Sequence, residues 1–257
     1  MRYCTSHTRR CDENPRSVHY RYSSLGLDTP LCCATHLVEI LFFVTSLLEQ
    51  HSIPYFISWG TLLGSLRHGG LIPWDTDADV GVFAADRDKL LALRPVVEAA
   101  GFRFCDKATE GEGFTIYYSQ SNELHLDLEM WRRDGDSFTW DDYRVSAAEL
   151  FPARRYRFYD RELWGPNRLD WLLAHFGHDS LEFGSKKWMY WGTRLWNARP
   201  TEKFRISNFA PANIDLSRDF ERDHTTGFRR AIGDRLLSVA NRCLWRYRAY
   251  WLKWRAR

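Results

Sequence analysis

Three aspartates at alternate positions are the residues of this chain best suited to chemistry. Asp75, Asp77 and Asp79 stand in the run Trp-Asp-Thr-Asp-Ala-Asp-Val-Gly. Successive side chains of a strand point to opposite faces, so Asp77 and Asp79 are predicted to project from one face. Two carboxylates this close repel each other unless a cation lies between them. Mg²⁺ (or Mn²⁺) suits the position, because Mg²⁺ takes oxygen ligands and is commonly shared between carboxylates and substrate phosphates. The run therefore indicates a phosphoryl- or nucleotidyl-transfer site.

The residues before this run predict where a phosphate would bind. A turn at Gly60 leads into a short apolar helix, predicted over 62–68, which ends with Arg67 and His68. Backbone N–H groups at the start of such a helix form a site for an anion such as a diphosphate. Arg67 can neutralise the charge that develops on a transferred phosphate. His68 is either a substrate contact or a structural residue.

A third carboxylate stands on a second predicted strand. Residues 124–130 alternate strictly between apolar and polar types, so that His125, Asp127 and Glu129 share the face opposite the core. Asp127 would complete the metal site with the two earlier aspartates and would offer a base to an incoming hydroxyl. Glu129 is either a further ligand or a solvent-facing charge, and His125 is either a substrate contact or a structural residue.

The alternative interpretation of the aspartate run is a solvated turn at the entrance of a strand. That interpretation must also account for the glycine turn, the Arg67–His68 pair and Asp127 on an alternating strand, so a functional site is the favoured prediction. Asp75 either orients Arg67 or binds a metal-bound water instead of ligating the metal directly.

The rest of the pattern predicts an α/β, or α+β, domain in which helices flank a sheet. Apolar residues at helical spacing predict a helix over 35–51, and Asp86 marks the start of another that runs to residue 100 with a kink at Pro95. Residues between 131 and 154 are predicted to form a loop region. Further predicted elements are strands at 55–58, 77–83, 102–105, 114–119 and 155–159, and a helix at 168–176 that ends at Gly177.

Composition indicates a globular protein with a basic C-terminal segment. The chain has 257 residues, of which 44% are hydrophobic, and a net charge of +3. Residues 229–257 contain nine Lys or Arg and one acid, so the remainder is mildly acidic. This segment predicts an amphipathic helix whose apolar stripe and flanking tryptophans suit an anionic membrane surface. Packing of the helix on the domain is the alternative, and the acidic body argues against nucleic acid as a partner.

No segment is predicted to span a membrane. The most apolar stretch, 37–48, is too short and contains Glu39, whereas a span needs roughly 20 apolar residues. The first residues lack the hydrophobic core of a signal peptide, so the protein is expected to be cytoplasmic unless a targeting segment is missing.

The motif at residues 60–79 resembles the signature of the LicD family, phosphotransferases with a nucleotidyltransferase fold. It reads Gly-Thr-Leu-Leu-Gly-x-x-Arg-His-x-Gly-x-Ile-Pro-Trp-Asp-x-Asp-x-Asp. Residues 117–128 resemble the strand of the family's third carboxylate, and 151–152 and 165–177 resemble a later segment. The likeness is to the catalytic domain of the fukutin-related branch and covers 1–180 of this chain.

The resemblance implies a nucleotidyltransferase-like mixed sheet and an enzyme that takes a CDP-activated alcohol. Such an enzyme moves the phospho-alcohol to an acceptor hydroxyl and releases CMP. The fukutin-related branch uses CDP-ribitol and extends a phosphorylated glycan with ribitol 5-phosphate. For the localisation of this protein, the resemblance suggests the Golgi lumen. Carried onto this chain, the resemblance makes Asp77, Asp79 and Asp127 the catalytic, Mg²⁺-binding residues. The residues implied to contact the donor are Gly60, Thr61, Gly64, Arg67, His68, Trp74 and Asp75.

Four cysteines near the N-terminus carry a second part of the resemblance. Cys4, Cys11, Cys32 and Cys33 reproduce the spacing of a four-cysteine zinc loop in the fukutin-related branch. Four thiolates would form a closed structural Zn²⁺ site that folds a polar segment, and on spacing alone a disulfide pair is the alternative. The predicted organisation is a zinc loop at 1–33, a catalytic domain at 34–200 and a C-terminal extension at 201–257.

Three functions are therefore considered. The favoured one is a CDP-ribitol-dependent phosphotransferase that acts on a glycan or glycoprotein. The second is a related enzyme that uses CDP-choline, as bacterial family members do, or a true nucleotidyltransferase that uses NTP. Choline would favour an aromatic cage, and Trp59 and Trp74 flank the motif. The third is a non-catalytic binding protein that kept the fold, and the three intact aspartates argue against it.

Overall fold

The computed structural model describes residues 28–107, 113–120, 122, 124–186 and 202–217. The chain divides into two compact units, 1–221 and 222–257, and the described residues all belong to the first. The predicted basic helix near the C-terminus and two of the four predicted zinc ligands, Cys4 and Cys11, lie outside the described residues.

The described part contains six helices and eleven strands. The helices are α1 (Leu31–Gln50), α2 (Trp59–His68), α3 (Arg87–Ala92), α4 (Arg94–Ala99), α5 (Ala147–Leu150) and α6 (Asp170–Phe176). The strands are β1 (Tyr55–Ile57), β2 (Asp77–Phe83), β3 (Arg103–Asp106), β4 (Gly113–Tyr117), β5 (His125–Asp134), β6 (Ser137–Trp140), β7 (Tyr143–Ser146), β8 (Arg154–Phe158), β9 (Arg161–Gly165), β10 (Phe183–Lys186) and β11 (Glu202–Arg205). Two 3₁₀ turns lie at Ala84–Asp86 and His178–Leu181.

A mixed sheet organises the fold, as predicted. Its strand order is β1-β2-β5-β4-β3, and β5 extends beyond β2 to pair with the β6–β7 hairpin. β2 and β5 run parallel, whereas the other neighbouring pairs are antiparallel. The parallel pair lies inside the sheet, with a strand on either side of it.

Helix α1 fills one side of the sheet. It begins directly after Pro30, whose φ of −56° suits the entry to a helix, and it therefore starts four residues before the predicted helix at 35–51. Most of its length is buried, including Leu37, Ile40 and Leu48 at no more than 1% exposure. By length and composition alone α1 is apolar enough to cross a membrane, but here it packs as a core helix.

The predicted helix over 86–100 is two helices. α3 ends at Ala92 and α4 begins at Arg94, with Leu93 between them. Pro95 lies in the first turn of α4, where its missing N–H costs no intrahelical bond. Proline therefore starts a new helix here instead of kinking a continuous one.

The region predicted as a loop between residues 131 and 154 contains regular structure, and that prediction was wrong. β5 continues to Asp134, and β6 and β7 form a hairpin through a turn at Asp141 and Asp142. Asp141 has a φ of +48°, in the left-handed region that Asp and Asn tolerate better than most residues. This hairpin carries Trp140 and Tyr143, which prove important for the cavity described below.

The last described segment packs on the same unit as the aspartate motif. β10 and β11 form an antiparallel hairpin. Beyond it the backbone N–H of Ala212 donates to the carbonyl of Leu71 at 2.9 Å, and the Tyr159 hydroxyl donates to the carbonyl of Ala212 at 2.7 Å. The chain beyond residue 201 thus contributes to the surroundings of the motif.

Candidate active site

The register of β2 against β5 brings the predicted carboxylates together. Asp79 lies opposite Asp127, and Asp77 lies opposite His125. In a parallel pair, residues in register that point to the same face become lateral neighbours. The structure therefore places two of the three predicted metal ligands side by side on adjacent strands, with Asp77 on the same face of β2.

Asp79 lies within a concentration of negative charge. Burial raises the pKa of this carboxyl well above its usual range, and the charges of Asp77, Glu129 and two further aspartates add to the effect. A carboxylate whose neighbours are mostly carboxylates is stabilised in its charged form only by a cation. This part of the sheet therefore favours either a proton or a bound cation.

Both backbone groups of Asp79 are bonded by the start of α2. This helix begins at Trp59, so Gly60, predicted as a turn before a helix at 62–68, lies in its first turn. The carbonyl of Asp79 accepts the N–H of Ser58 at 3.2 Å, and the N–H of Asp79 donates to the hydroxyl of Thr61 at 2.8 Å. β1 ends at Ile57, so no further strand residue accepts the N–H of Asp79. The hydroxyl of Thr61, which is fully buried, accepts it instead. The predicted substrate residue Thr61 thus positions the aspartate strand.

Asp127 is held by two donors on one oxygen. Its Oδ1 accepts from Lys107 Nζ at 3.0 Å and from the Thr115 hydroxyl at 2.5 Å. His125 Nε2 lies 3.8 Å from the other oxygen, Oδ2. The side chain is 27% exposed, so Asp127 can still meet a ligand from the solvent side.

Asp75 and Arg67 lie at the edge of the carboxylates. Burial raises the pKa of Asp75 well above its usual range, and the charge and hydrogen bond of Asp77 raise it further, while Arg67 opposes the shift. A Cβ on Gly60 would lie 2.6 Å from the Asp75 carboxylate. The predicted glycine at this position therefore lets the start of α2 approach Asp75.

Arg67 is bound mainly by backbone carbonyls in this structure. Its Nη1 donates to the carbonyls of Ser180 at 2.7 Å and Phe183 at 3.2 Å, and its guanidinium lies 5.5 Å from the centre of the Trp74 ring. Burial lowers the pKa of Arg67 to about 10, with Asp75 opposing, so the side chain remains charged at neutral pH. Arg67 therefore anchors the segment that follows α6 beside the motif.

Two further predicted donor contacts, His68 and Gly64, are packed inside the domain. His68 is 5% exposed, with its ring centre 5.8 Å from Trp74 and 6.0 Å from Phe209. Burial and then the charge of Arg67 lower the pKa of His68 to about 4, so the ring is neutral at pH 7. A Cβ on Gly64 would lie 2.5 Å from the carbonyl of Gly70, which explains a glycine there through packing alone.

Glu129 is a residue of this site whose role the sequence left open. It is 4% exposed, and its carboxylate accepts hydrogen bonds from the Ser58 hydroxyl at 3.0 Å and from the indole N–H of Trp59. Burial raises the pKa of Glu129 to about 8, although both donors act in the opposite direction. Glu129 is thus neither solvent-facing nor isolated, and it fixes Trp59, whose φ of +37° is rare for a residue with a side chain.

A cavity of about 370 Å³ opens beside these carboxylates. It is lined by the polar residues Asp79, Lys107, Asp127, Glu129 and Asp141 and by the ring-bearing residues Trp59, Trp140, Tyr143 and His175. The lining residues of the β6–β7 hairpin belong to no motif, so sequence reasoning missed them. His175 lies in the segment 165–177 that carries part of the family resemblance, but it was not singled out, and Trp59 was considered only as part of an aromatic cage for choline.

The ligand type of these carboxylates suits a hard divalent cation such as Mg²⁺. They offer oxygen ligands only, on neighbouring strands, at a place where like charges raise the pKa of Asp79. Among the described residues, no group of three or more Asp, Glu, His or Cys side chains is already drawn together as a ligand set. The predicted Mg²⁺ site therefore stays a prediction.

The zinc prediction also stays untested. Cys32 and Cys33 lie in the first turn of α1 and are each 6% exposed. They are thus buried in the core at the point where the undescribed N-terminal segment joins the fold.

The described residues thus form a mixed sheet that presents carboxylates from its two parallel strands, next to the first turn of α2. Residues 52–168 match the family described as LicD/FKTN/FKRP, nucleotidyltransferase domain. This match agrees with the resemblance that the sequence motif at residues 60–79 predicted.

Individual relatives agree with this assignment. The chain is 36% identical over 149 residues to "Ribitol 5-phosphate transferase FKRP" of Mus musculus, a match that covers 55% of this chain and 30% of that protein. The Homo sapiens protein of the same name is 40% identical over 124 residues, with coverages of 45% and 25%. "Lipopolysaccharide cholinephosphotransferase LicD" of Haemophilus influenzae is 46% identical over 43 residues, which is 17% of this chain and 16% of that protein. The chain thus spans less than a third of the length of the mammalian relatives it matches.

Among solved structures, the lincosamide antibiotic adenylyltransferase LnuA in its lincomycin-bound form is similar with a TM-score of 0.40 and 18% identity. That match covers 55% of this chain and 87% of the LnuA chain.

Proposed function

We propose that this protein transfers a phospho-alcohol from a CDP-alcohol to a hydroxyl group of a glycan or glycoprotein and releases CMP. The transferred group proposed first is ribitol 5-phosphate, in keeping with the names of the two mammalian relatives. The observation that carries the proposal is the register that sets Asp79 beside Asp127 in the lining of an open cavity. This placement is what a phosphoryl-transfer site requires, because catalysis there depends on positioning and charge stabilisation.

Asp77, Asp79 and Asp127 would hold Mg²⁺ or Mn²⁺. When bound, such an ion would neutralise charge on the donor diphosphate. Asp127 Oδ1 is fixed by Lys107 and Thr115, so the orientation of Oδ2 is set by the protein. Oδ2 can then accept the proton of the acceptor hydroxyl, provided that the hydroxyl comes within hydrogen-bonding distance.

The reaction balances as a displacement at phosphorus. The acceptor oxygen forms a bond to the phosphorus that carries the alcohol, the bond from that phosphorus to CMP breaks, and the acceptor proton goes to Asp127. Among the described residues that line the cavity, Lys107 is the one lysine, and we assign it to the donor phosphates. The N–H groups at the start of α2 supply a second place for phosphate oxygens.

The test is CMP release from CDP-ribitol with Mg²⁺ and then with EDTA. Wild type is compared with Asp79→Asn, and Asp88→Asn serves as a matched control because Asp88 is an exposed aspartate on α3. We expect Mg²⁺-dependent release that falls by about 10²-fold or more in Asp79→Asn and is unchanged in Asp88→Asn. Release that is insensitive to EDTA and to Asp79→Asn would overturn the proposal.

A second candidate is the transfer of phosphocholine. The cavity combines carboxylates with Trp59, Trp140 and Tyr143, and aromatic faces together with negative charge bind quaternary ammonium groups. CMP release from CDP-choline and not from CDP-ribitol would support this candidate. Pyrophosphate release from an NTP, with neither CDP-alcohol active, would instead indicate a nucleotidyltransferase.

A further inference from the structure

We propose that Trp140 and Tyr143 form a stacking platform for a pyranose ring of the acceptor, with Asp141 as an acceptor of its hydroxyl hydrogen bonds. This inference rests on the proposed function and names a part of the same site that no motif identified. The aromatic platform, defined as the rings of Trp140 and Tyr143, belongs to the β6–β7 hairpin.

The two rings are nearly parallel. Trp140 and Tyr143 are the closing cross-strand pair of the hairpin, and side chains of such a pair project from the same face. Their ring centres are 6.2 Å apart and their planes differ by 16°, so the two rings are stacked. A stacked pair presents an outer ring face, and a flat ligand ring can pack against that face.

Contacts with Trp59 and His175 hold the platform in place. Trp59, fixed by Glu129, lies 4.5 Å from Tyr143 and 5.8 Å from Trp140, measured between ring centres. The Tyr143 hydroxyl and His175 Nδ1 are 2.8 Å apart. Aromatic rings that are already held by contacts lose little freedom when a ligand packs on them.

The polar groups around the platform favour a ligand rich in hydroxyl groups. Of the carboxyl groups that line the cavity, those of Asp127 and Asp141 are reached by solvent, and ionised carboxylates only accept hydrogen bonds. Among the described residues that line it, none is an arginine and Lys107 is the one lysine. A pyranose supplies several hydroxyl donors, and its C–H groups carry the partial positive charge that the face of an aromatic ring attracts. A cytosine ring would donate hydrogen bonds to the same carboxylates from a single amino group, so it suits them less well than a pyranose.

The position of the platform suits an acceptor that extends away from the protein. Asp141 is exposed at the tip of the hairpin, while Trp140 and Tyr143 are half-buried. A glycan could therefore lie across the rings with its reacting hydroxyl towards Asp127 and the remainder of its chain in solvent.

Saturation-transfer NMR tests this proposal without requiring turnover. The ligands are a panel of methyl pyranosides, CMP with Mg²⁺, and choline, each added to the full chain. The variants are Trp140→Ala, Trp140→Phe and Asp141→Asn, and Trp164→Ala is the matched control because Trp164 is a half-buried tryptophan outside the cavity. Asn tolerates the left-handed backbone at position 141, so this exposed variant remains informative if Trp140→Ala fails to fold.

We expect at least one pyranoside to bind through its C–H face and to lose about tenfold in affinity in Trp140→Ala. Trp140→Phe should retain most of that binding, Asp141→Asn should weaken it, and CMP should be affected less than the pyranoside in every variant. The proposal is overturned if no pyranoside binds, if Trp164→Ala has the same effect as Trp140→Ala, or if CMP or choline is the ligand most weakened by Trp140→Ala. CMP release from CDP-ribitol, measured separately, distinguishes a failure of the platform from a failure of the proposed reaction.

Discussion

The substitution Thr61→Val tests whether the first turn of α2 holds the aspartate strand in place. Valine has the shape of threonine, but it cannot accept the hydrogen bond that Asp79 N–H donates at 2.8 Å. Thr61 is fully buried and β1 has already ended at Ile57, so no strand is placed to accept that N–H instead. Leaving a buried donor without a partner costs about 1–3 kcal/mol.

The matched control is Thr45→Val in α1. Thr45 is 2% exposed, and its hydroxyl donates to the carbonyl of Leu41 at 2.7 Å. That carbonyl still accepts the helical N–H of residue 45 after the substitution, so no buried group loses its last partner. The control should therefore cost less than about 1 kcal/mol.

Two quantities are measured for each variant. The first is the free energy of unfolding in urea, fitted with the same dependence on urea concentration for all variants, and the second is the rate of CMP release. We expect Thr61→Val to lower the free energy of unfolding by about 1–3 kcal/mol and Tm by about 2–4 °C for each kcal/mol. We also expect kcat/KM to fall more than it does for Thr45→Val, because the position of Asp79 is changed. Equal losses of stability and of activity in the two variants would refute the reasoning that Thr61 positions Asp79.

Two further variants probe the packing around the motif. His68 is neutral in the folded state, with a pKa lowered from 6.5 to about 4 by burial, so the unfolded state binds more protons between these values and stability falls as the pH falls through this range. The fall in unfolding free energy from pH 7 to pH 5 should be smaller in His68→Gln than in wild type, and equal falls would exclude His68 as a source of acid sensitivity. Gly81→Ala should destabilise by about 1–3 kcal/mol, because the new Cβ would lie 2.3 Å from the Phe56 ring. Phe56→Leu in the same chain should recover part of that loss, and purely additive losses would argue against this contact.

The sequence was most informative where a local pattern decides the structure. The strand at 77–83 has the predicted bounds, because alternation and the flanking glycine and proline residues are local signals. The mixed sheet flanked by helices was likewise predicted. That Asp127 lies opposite Asp79 depends on a register between distant strands, which alternation alone could suggest but not fix.

The surroundings of the motif could not be predicted in the same way. Arg67 reads as a phosphate ligand, yet its hydrogen bonds go to the carbonyls of Ser180 and Phe183, and a carbonyl acceptor carries no signature in the sequence. The platform residues Trp140 and Tyr143 lie in a hairpin of two four-residue strands. Strands this short show too few alternating apolar and polar positions to be recognised from the sequence. Glu129 was placed on the correct strand face, but its burial follows from Ser58 and Trp59, which reach it from another element.

The parallel pairing of β2 with β5 also determines when the site can form as the chain folds. Asp79 and Asp127 are 48 positions apart, and β3 and β4 lie between them in the chain. Closing so long a segment loses entropy before any contact is made, which makes the pairing a slow, non-local step. The same step brings like charges together, so their repulsion opposes it. A divalent cation bound by these aspartates is therefore expected to speed refolding, as well as to act in the folded protein.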